Sequence, residues 1–231
     1  MPAVLGDTFL FMDKTGGVFR ASLEDGSVLW HAPGSKGSFA TGGLALGPHG
    51  LVFASSNRNG MKQGVVHAHS VEDGSVCWTR DFDMEASSAP GVLDLDSEGP
   101  AVVVGLGDNP ANGDGLLSHA GRLVALDALT GRERWAFRPP VHRGQLAKGA
   151  ERSLAHAEAM SLPDTWTNPA IGGDGTVYVG WEGGVVYALD GRTGAEVSKH
   201  DAGYSFQGEP AIAPGYLVVA SIFTLVGFDG H

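Results

Sequence analysis

Four stretches of this chain repeat one pattern, and repetition constrains a fold more than any single residue does. They are GVFRASLEDGSVLW (Gly17 to Trp30), GVVHAHSVEDGSVCW (Gly64 to Trp78), GRLVALDALTGRERW (Gly121 to Trp135) and GVVYALDGRTGAEVS (Gly184 to Ser198). A fifth, TLVGFDG (Thr224 to Gly230), stops at its turn. The turn glycines Gly26, Gly74, Gly131 and Gly194 lie 48, 57 and 63 residues apart. Apolar residues alternate before each turn, as at Val185, Tyr187 and Leu189, and the alternation breaks at Asp-Gly or Thr-Gly. Such a pattern predicts a β-hairpin, with the glycine supplying the positive φ of the turn.

Another pair of strand-like runs precedes each hairpin, at 42–55, 90–105, 169–180 and 210–220. Each repeat therefore holds four antiparallel strands, A to D. Four-stranded repeats of roughly 40–50 residues predict a β-propeller rather than a sandwich. The expected fold is all-β, with blades at about 1–34, 38–82, 86–138, 166–201 and 206–231 and an insertion at 139–165. The last blade stops after strand C, so the single domain holds about four and three-quarter blades.

Composition narrows the function classes. The 231 residues include 36 Gly and 12 Pro, well above the average share of roughly 12% for the two together. With 42% apolar and 18% charged residues, the chain is too apolar and too sparsely charged for disorder. A net charge of −11 argues against nucleic acid and anionic membranes as partners, because both select clustered Lys and Arg. No apolar run approaches the ~20 residues of a membrane helix. The opening MPAVLGDTFLFMDK lacks a basic leader and does not read as a signal peptide. A lone cysteine, Cys77, excludes an internal disulfide and a multi-cysteine zinc site, and its place beside Trp78 reads as a buried thiol.

The third repeat carries Ala125, Asp127, Thr130, Gly131, Glu133 and Trp135 in the spacing A-x-D-x-x-T-G-x-E-x-W. The fourth keeps Ala188, Asp190, Thr193, Gly194 and Glu196 but has Ser198 in the Trp place, and the first two keep the Gly and the Trp. This motif resembles the tryptophan-docking repeat of the pyrroloquinoline-quinone (PQQ)-like propellers, over almost the whole chain. The resemblance implies that Trp30, Trp78 and Trp135 pack between neighbouring blades. It also implies a ring of seven or eight blades, of which this chain would be part. Members of that family are often periplasmic or secreted. Some are quinoprotein dehydrogenases that hold PQQ and Ca²⁺ at the centre of the ring. Others are scaffolds without cofactor, among them the outer-membrane barrel-assembly lipoprotein of bacteria.

Site candidates follow from both sources. Gly105-Leu-Gly-Asp108-Asn109 resembles the G-T-G-N stretch in which the family's dehydrogenases place a calcium ligand, which would be Asn109. Leu106 stands for Thr and Asp108 is inserted, and the alternative is a solvated turn. Asp94 and Asp96, in D-x-D-x-E-G, suit either a structural calcium turn or an exposed acidic one. His67 and His69 share one strand face as half a metal site or a surface pair. Trp166 and Trp181 end on one face of the disc, as the floor of a flat ligand or as packing. His142, His156 and Glu158 share the insertion, which also offers Glu151 and Asp164 as bases.

Loop lengths point to one face. The longer connections, 57–63, 105–120 and 139–165, are B-to-C or D-to-A links, and both kinds open on the same side of a propeller. Long loops in compact domains tend to carry function. A short helix is expected within 145–160, rich in Ala, Leu, Glu and Lys and stopped by Leu162-Pro163. The expectation is a binding scaffold without cofactor whose partner, protein or small molecule, sits on this face. The alternative is a fragment or remote relative of a PQQ- and Ca²⁺-dependent alcohol dehydrogenase. Ring closure by the N-terminal strand, serving as the missing strand of the fifth blade, is a further option.

Overall fold

The computed structural model describes residues 2–60, 62–95, 98–108, 118–144, 147–150, 165–206 and 208–229. The first sheet holds β1 (Ala3–Leu5), β2 (Thr8–Met12), β3 (Val18–Ser22) and β4 (Val28–Ala32). The second holds β5 (Leu44–Leu46), β6 (Leu51–Arg58), β7 (Gln63–Ser70) and β8 (Val76–Asp81). Six strands follow: β9 (Gly91–Leu93), β10 (Ala101–Gly107), β11 (Ser118–His119), β12 (Gly121–Asp127), β13 (Glu133–Phe137) and β14 (His142–Arg143). Of these, β9, β10, β12 and β13 form the third sheet, and β11 pairs with β14 as a separate ribbon. The fourth sheet is β15 (Ala170–Ile171), β16 (Thr176–Gly180), β17 (Val185–Asp190) and β18 (Glu196–Asp201). The fifth has three strands, β19 (Ala211–Ala213), β20 (Tyr216–Ala220) and β21 (Leu225–Asp229).

Each sheet is an antiparallel meander in chain order, as expected of propeller blades. The sheets do not close into a ring. Strand β1 pairs with β2 within the first sheet, so it does not complete the fifth, and that option for closure is corrected. Among the described residues no helix is long and apolar enough to cross a membrane. The expected helix within 145–160 lies almost wholly outside the described residues.

Apolar alternation becomes packing between consecutive sheets. Leu10, Val18, Val52 and Ala54 join the first to the second, while Phe53, Val66, Val102 and Val124 join the second to the third. Val103, Leu123, Val177 and Tyr187 join the third to the fourth. Strand β10 is buried along its whole length, because both of its faces are covered by neighbours. The fourth junction is thinner, with Val186, Phe206 and Val219 as its buried members.

Three tryptophans seal the other junctions. Trp30, Trp78 and Trp135 donate from Nε1 to the carbonyls of Val71, Ala128 and Gly191, at 2.9, 2.9 and 2.8 Å. Each acceptor follows the third strand of the next sheet. Each indole also covers that sheet's turn glycine: Gly74 under Trp30, Gly131 under Trp78, Gly194 under Trp135. The glycines have φ of 74°, 68° and 71°. In the later repeats Asp127 and Asp190 hold the turn, their Oδ1 accepting from Thr130 or Thr193 backbone N–H and hydroxyl. Gly26 occupies the same turn position in the first sheet and Ala125 faces Trp135 across the ladder.

Two local expectations are corrected. Cys77 is exposed, because β8 is an outer strand and Cys77 points away from the face that Trp78 covers. His69 is buried rather than on the surface, with Nδ1 3.0 Å from Gly74 O. His67 is half-buried beside it, with ring centroids 5.7 Å apart and Nδ1 3.0 Å from Thr79 Oγ1.

Candidate functional site

On the side where B-to-C and D-to-A links emerge, one short bridge recurs in four sheets. Phe39 pairs with Asn57, Glu85 with Gly107, Trp166 with Trp181 and Phe206 with Ser221. This tier positions side chains at the end of each blade. At the second sheet it is polar: Asn57 Oδ1 accepts from Ala86 N–H at 2.7 Å, and Ser55 Oγ donates to Ser88 O at 2.7 Å.

Between the third and fourth sheets the tier becomes aromatic and acidic. The indoles of Trp166 and Trp181 are both buried, with centroids 4.7 Å apart and planes at 47°. Trp166 Nε1 donates to Leu106 O at 3.0 Å. Gly105 and Gly121 let these indoles approach, since a Cβ on either would collide with Trp166 or Trp181 respectively. Both tryptophans are thus packed into the junction, and Trp181 also borders the cleft beside it.

Next to Trp181 sits Glu182, with its side chain fully enclosed. Its Oε2 lies 3.4 Å from Nδ1 of His119, which is equally enclosed. Strand pairing across the β11–β14 ribbon sets His119 opposite His142, with the rings edge to face at 5.7 Å. Main-chain bonds fix the acid from both sides: Glu182 N–H donates to Thr165 O, and Lys148 N–H to Glu182 O, each at 3.0 Å. Burial pushes the Glu182 carboxyl up to about 7; the bond to His119 opposes the rise and the charge of Asp108 adds to it. Asp108 itself accepts from Ala120 N–H at 3.0 Å through Oδ2. The pair can therefore hold or exchange a proton near neutral pH.

A cleft of about 450 Å³ adjoins the pair, with His142, Arg143, Lys148, Trp181 and Tyr187 in its wall. Lys148 Nζ is held at 2.9 Å by Asp201 Oδ1.

Of the other site candidates, the described residues bring His142 to this pair. Asp94 is exposed beyond the end of β9, and Asp96 and Asn109 lie outside the described residues. His142 meets His119, while His156, Glu158, Glu151 and Asp164 also lie outside the described residues. Among the described residues no three His, Cys, Asp or Glu side chains gather as a metal-holding group. Sequence reasoning missed Glu182 and His119. The one available signal was a carboxylate directly after Trp181 in a short turn, where polar residues are ordinary.

Blade-like sheets sealed by indoles define a PQQ-like β-propeller. The sequence matches the family model described as outer membrane protein assembly factor BamB over 14–164 and again over 119–231, and the chain belongs to that family. No curated protein matches it. The solved structure of BamB from Moraxella catarrhalis is similar, with a TM-score of 0.68 and 19% identity over 100% of this chain and 57% of that one. The computationally designed Ika8 protein is similar at 0.65 and 17%, over 99% and 57%. Quinohemoprotein alcohol dehydrogenase from Comamonas testosteroni is similar at 0.66 and 15%, over 96% and 41%. The chain spans little more than half the length of the first two and less than half of the third.

Proposed function

We propose that this chain is a binding scaffold without catalysis, whose partner sits on the face bearing 57–63, 105–120 and 139–165. The observation that carries the reading is the anchored base of those segments. The β11–β14 ribbon ties the 105–120 connection to the start of the insertion, and the enclosed His119–Glu182 pair ties both to the fourth sheet. Long loops on a rigid platform suit recognition. The description of the family as an assembly factor supports a protein partner.

The test is site-specific photo-crosslinking in the native host. A crosslinker at Val141, which is 46% exposed beside the ribbon, should capture one defined protein. A crosslinker at Leu129, 52% exposed in a turn of the opposite face, should not. Equal capture at both positions, or at neither, removes the reading.

A second reading, a PQQ- and Ca²⁺-dependent alcohol dehydrogenase, draws on the proton-holding Glu182–His119 pair and on the likeness to a quinohemoprotein alcohol dehydrogenase. A melt with and without PQQ plus Ca²⁺ separates the two. A ligand at a hundred times its Kd stabilises by about 2.7 kcal/mol, which would raise the midpoint by degrees.

A further inference from the structure

Four outer strands carry one equivalent position. Trp30 faces Arg20, Trp78 faces Ala68, Trp135 faces Ala125 and Ser198 faces Ala188, each just before the same register shift. At the first three positions an indole crosses to the next sheet and donates its N–H to a main-chain carbonyl. At the fourth, Ser198 leaves that place unfilled from within the described chain. Strand β18 is exposed along its whole length, whereas Trp135 in the matching strand β13 is buried.

A cleft of about 550 Å³ opens at this position, between the fourth and fifth sheets. Ala188, Ser198 and Tyr178 form one wall, and Leu217, Ile212 and Phe228 the other. Its size lies in the range of roughly 300–1,000 Å³ seen for ligand sites. The carboxylates of Asp174 and Asp229 at its rim offer acceptors for a ring N–H. The cleft lies among the A-to-B turns of both sheets, on the side opposite the candidate site, so nothing here rests on the function proposed above.

We propose that this cleft is a binding site for an indole ring presented by a tryptophan of a partner polypeptide, which takes the place that Trp30, Trp78 and Trp135 fill in the other junctions. The chemistry of the occupant follows from its three counterparts. All are flat, apolar and N–H-bearing, and all meet the same sheet geometry.

The test uses ¹⁹F NMR of N-acetyl-5-fluorotryptophanamide titrated with the full chain. Saturable broadening is expected, with no competition from N-acetyl-leucinamide. Ser198→Trp supplies the ring from within and should reduce binding at least tenfold while raising the thermal midpoint; Ser198→Ala should bind as the wild type does. If Ser198→Trp loses its cooperative melt, Ser198→Leu fills the same wall with less volume and should weaken binding likewise. The proposal fails if the wild type shows no saturable binding, if the filled variants bind equally well, or if free 5-fluoroindole binds and the amide does not. The last result would assign the cleft to a small molecule instead.

Discussion

The indole of Trp78 lies so close over Gly131 of the next sheet that a Cβ on that glycine would stand 2.8 Å from Cε3 of the ring. The same indole donates to Ala128 O, three residues before Gly131. One residue thus packs against the turn and holds its entry strand. Because Trp30 with Gly74 and Trp135 with Gly194 repeat the arrangement, the stability of each junction depends on a glycine in the following sheet.

Gly131→Ala and Gly26→Ala separate the two demands on that glycine. Both positions have positive φ, 68° and 73°, which disfavours any residue with a Cβ by about 1–2 kcal/mol. Gly26 has nothing within 4 Å of the added carbon, whereas Gly131 meets Trp78. Overpacking adds about 1–3 kcal/mol. Urea melts should therefore place Gly131→Ala clearly below Gly26→Ala, and equal losses would show that the indole yields without cost.

Trp135 is the most enclosed of the three docking rings, at 8% exposed, and its N–H bond to Gly191 O is 2.8 Å. Trp135→Ala should cost about 3–5 kcal/mol, as large-to-small core changes do. Trp30→Ala should cost less, because that ring is half-buried at the first sheet. Chemical denaturation of both variants checks the order.

Cys77 gives an accessible probe of the outer strand. Its neighbour Trp78 faces the third sheet, so alternation along β8 sends the thiol to solvent. Ellman's reagent should modify one thiol per chain without denaturant, because the side chain is exposed. Reaction only after unfolding would place the side chain inside instead.

The tryptophan joints were legible in sequence because each is built from a short, repeated run: alternation, a turn Asp, a turn Gly and a Trp four residues on. Their local spacing maps directly onto one hairpin. The Cys77 environment was misread because a neighbour in sequence on a strand points to the opposite face. Glu182 and His119 were illegible for a different reason. They stand 63 residues apart and meet only through the β11–β14 ribbon and the bridge tier, which no periodicity encodes. A carboxylate in a W-E-G-G turn looks solvent-bound until His119 of the β11–β14 ribbon meets it.

That buried carboxyl sets the sign of one pH effect. The Glu182 carboxyl rises from its ordinary value of 4.5 to about 7 on folding, chiefly through burial. Between those values the folded chain holds a proton that the unfolded chain has lost. Stability from this group is complete below about 4.5 and is lost as the pH rises through 7. The loss is of order 3 kcal/mol. His67 works the other way: burial lowers its imidazole from 6.5 to about 4, so its contribution is present above 6.5 and fades as pH falls. The two slopes oppose each other over the same window, and the wild-type profile alone would hide both. Glu182→Gln keeps the shape of the side chain and removes its titration. Urea melts from pH 4.5 to 8 should show the wild type losing stability relative to Glu182→Gln as the pH rises. A constant difference across that range would mean that Glu182 titrates as an ordinary carboxylate, and that the pair with His119 is open to water.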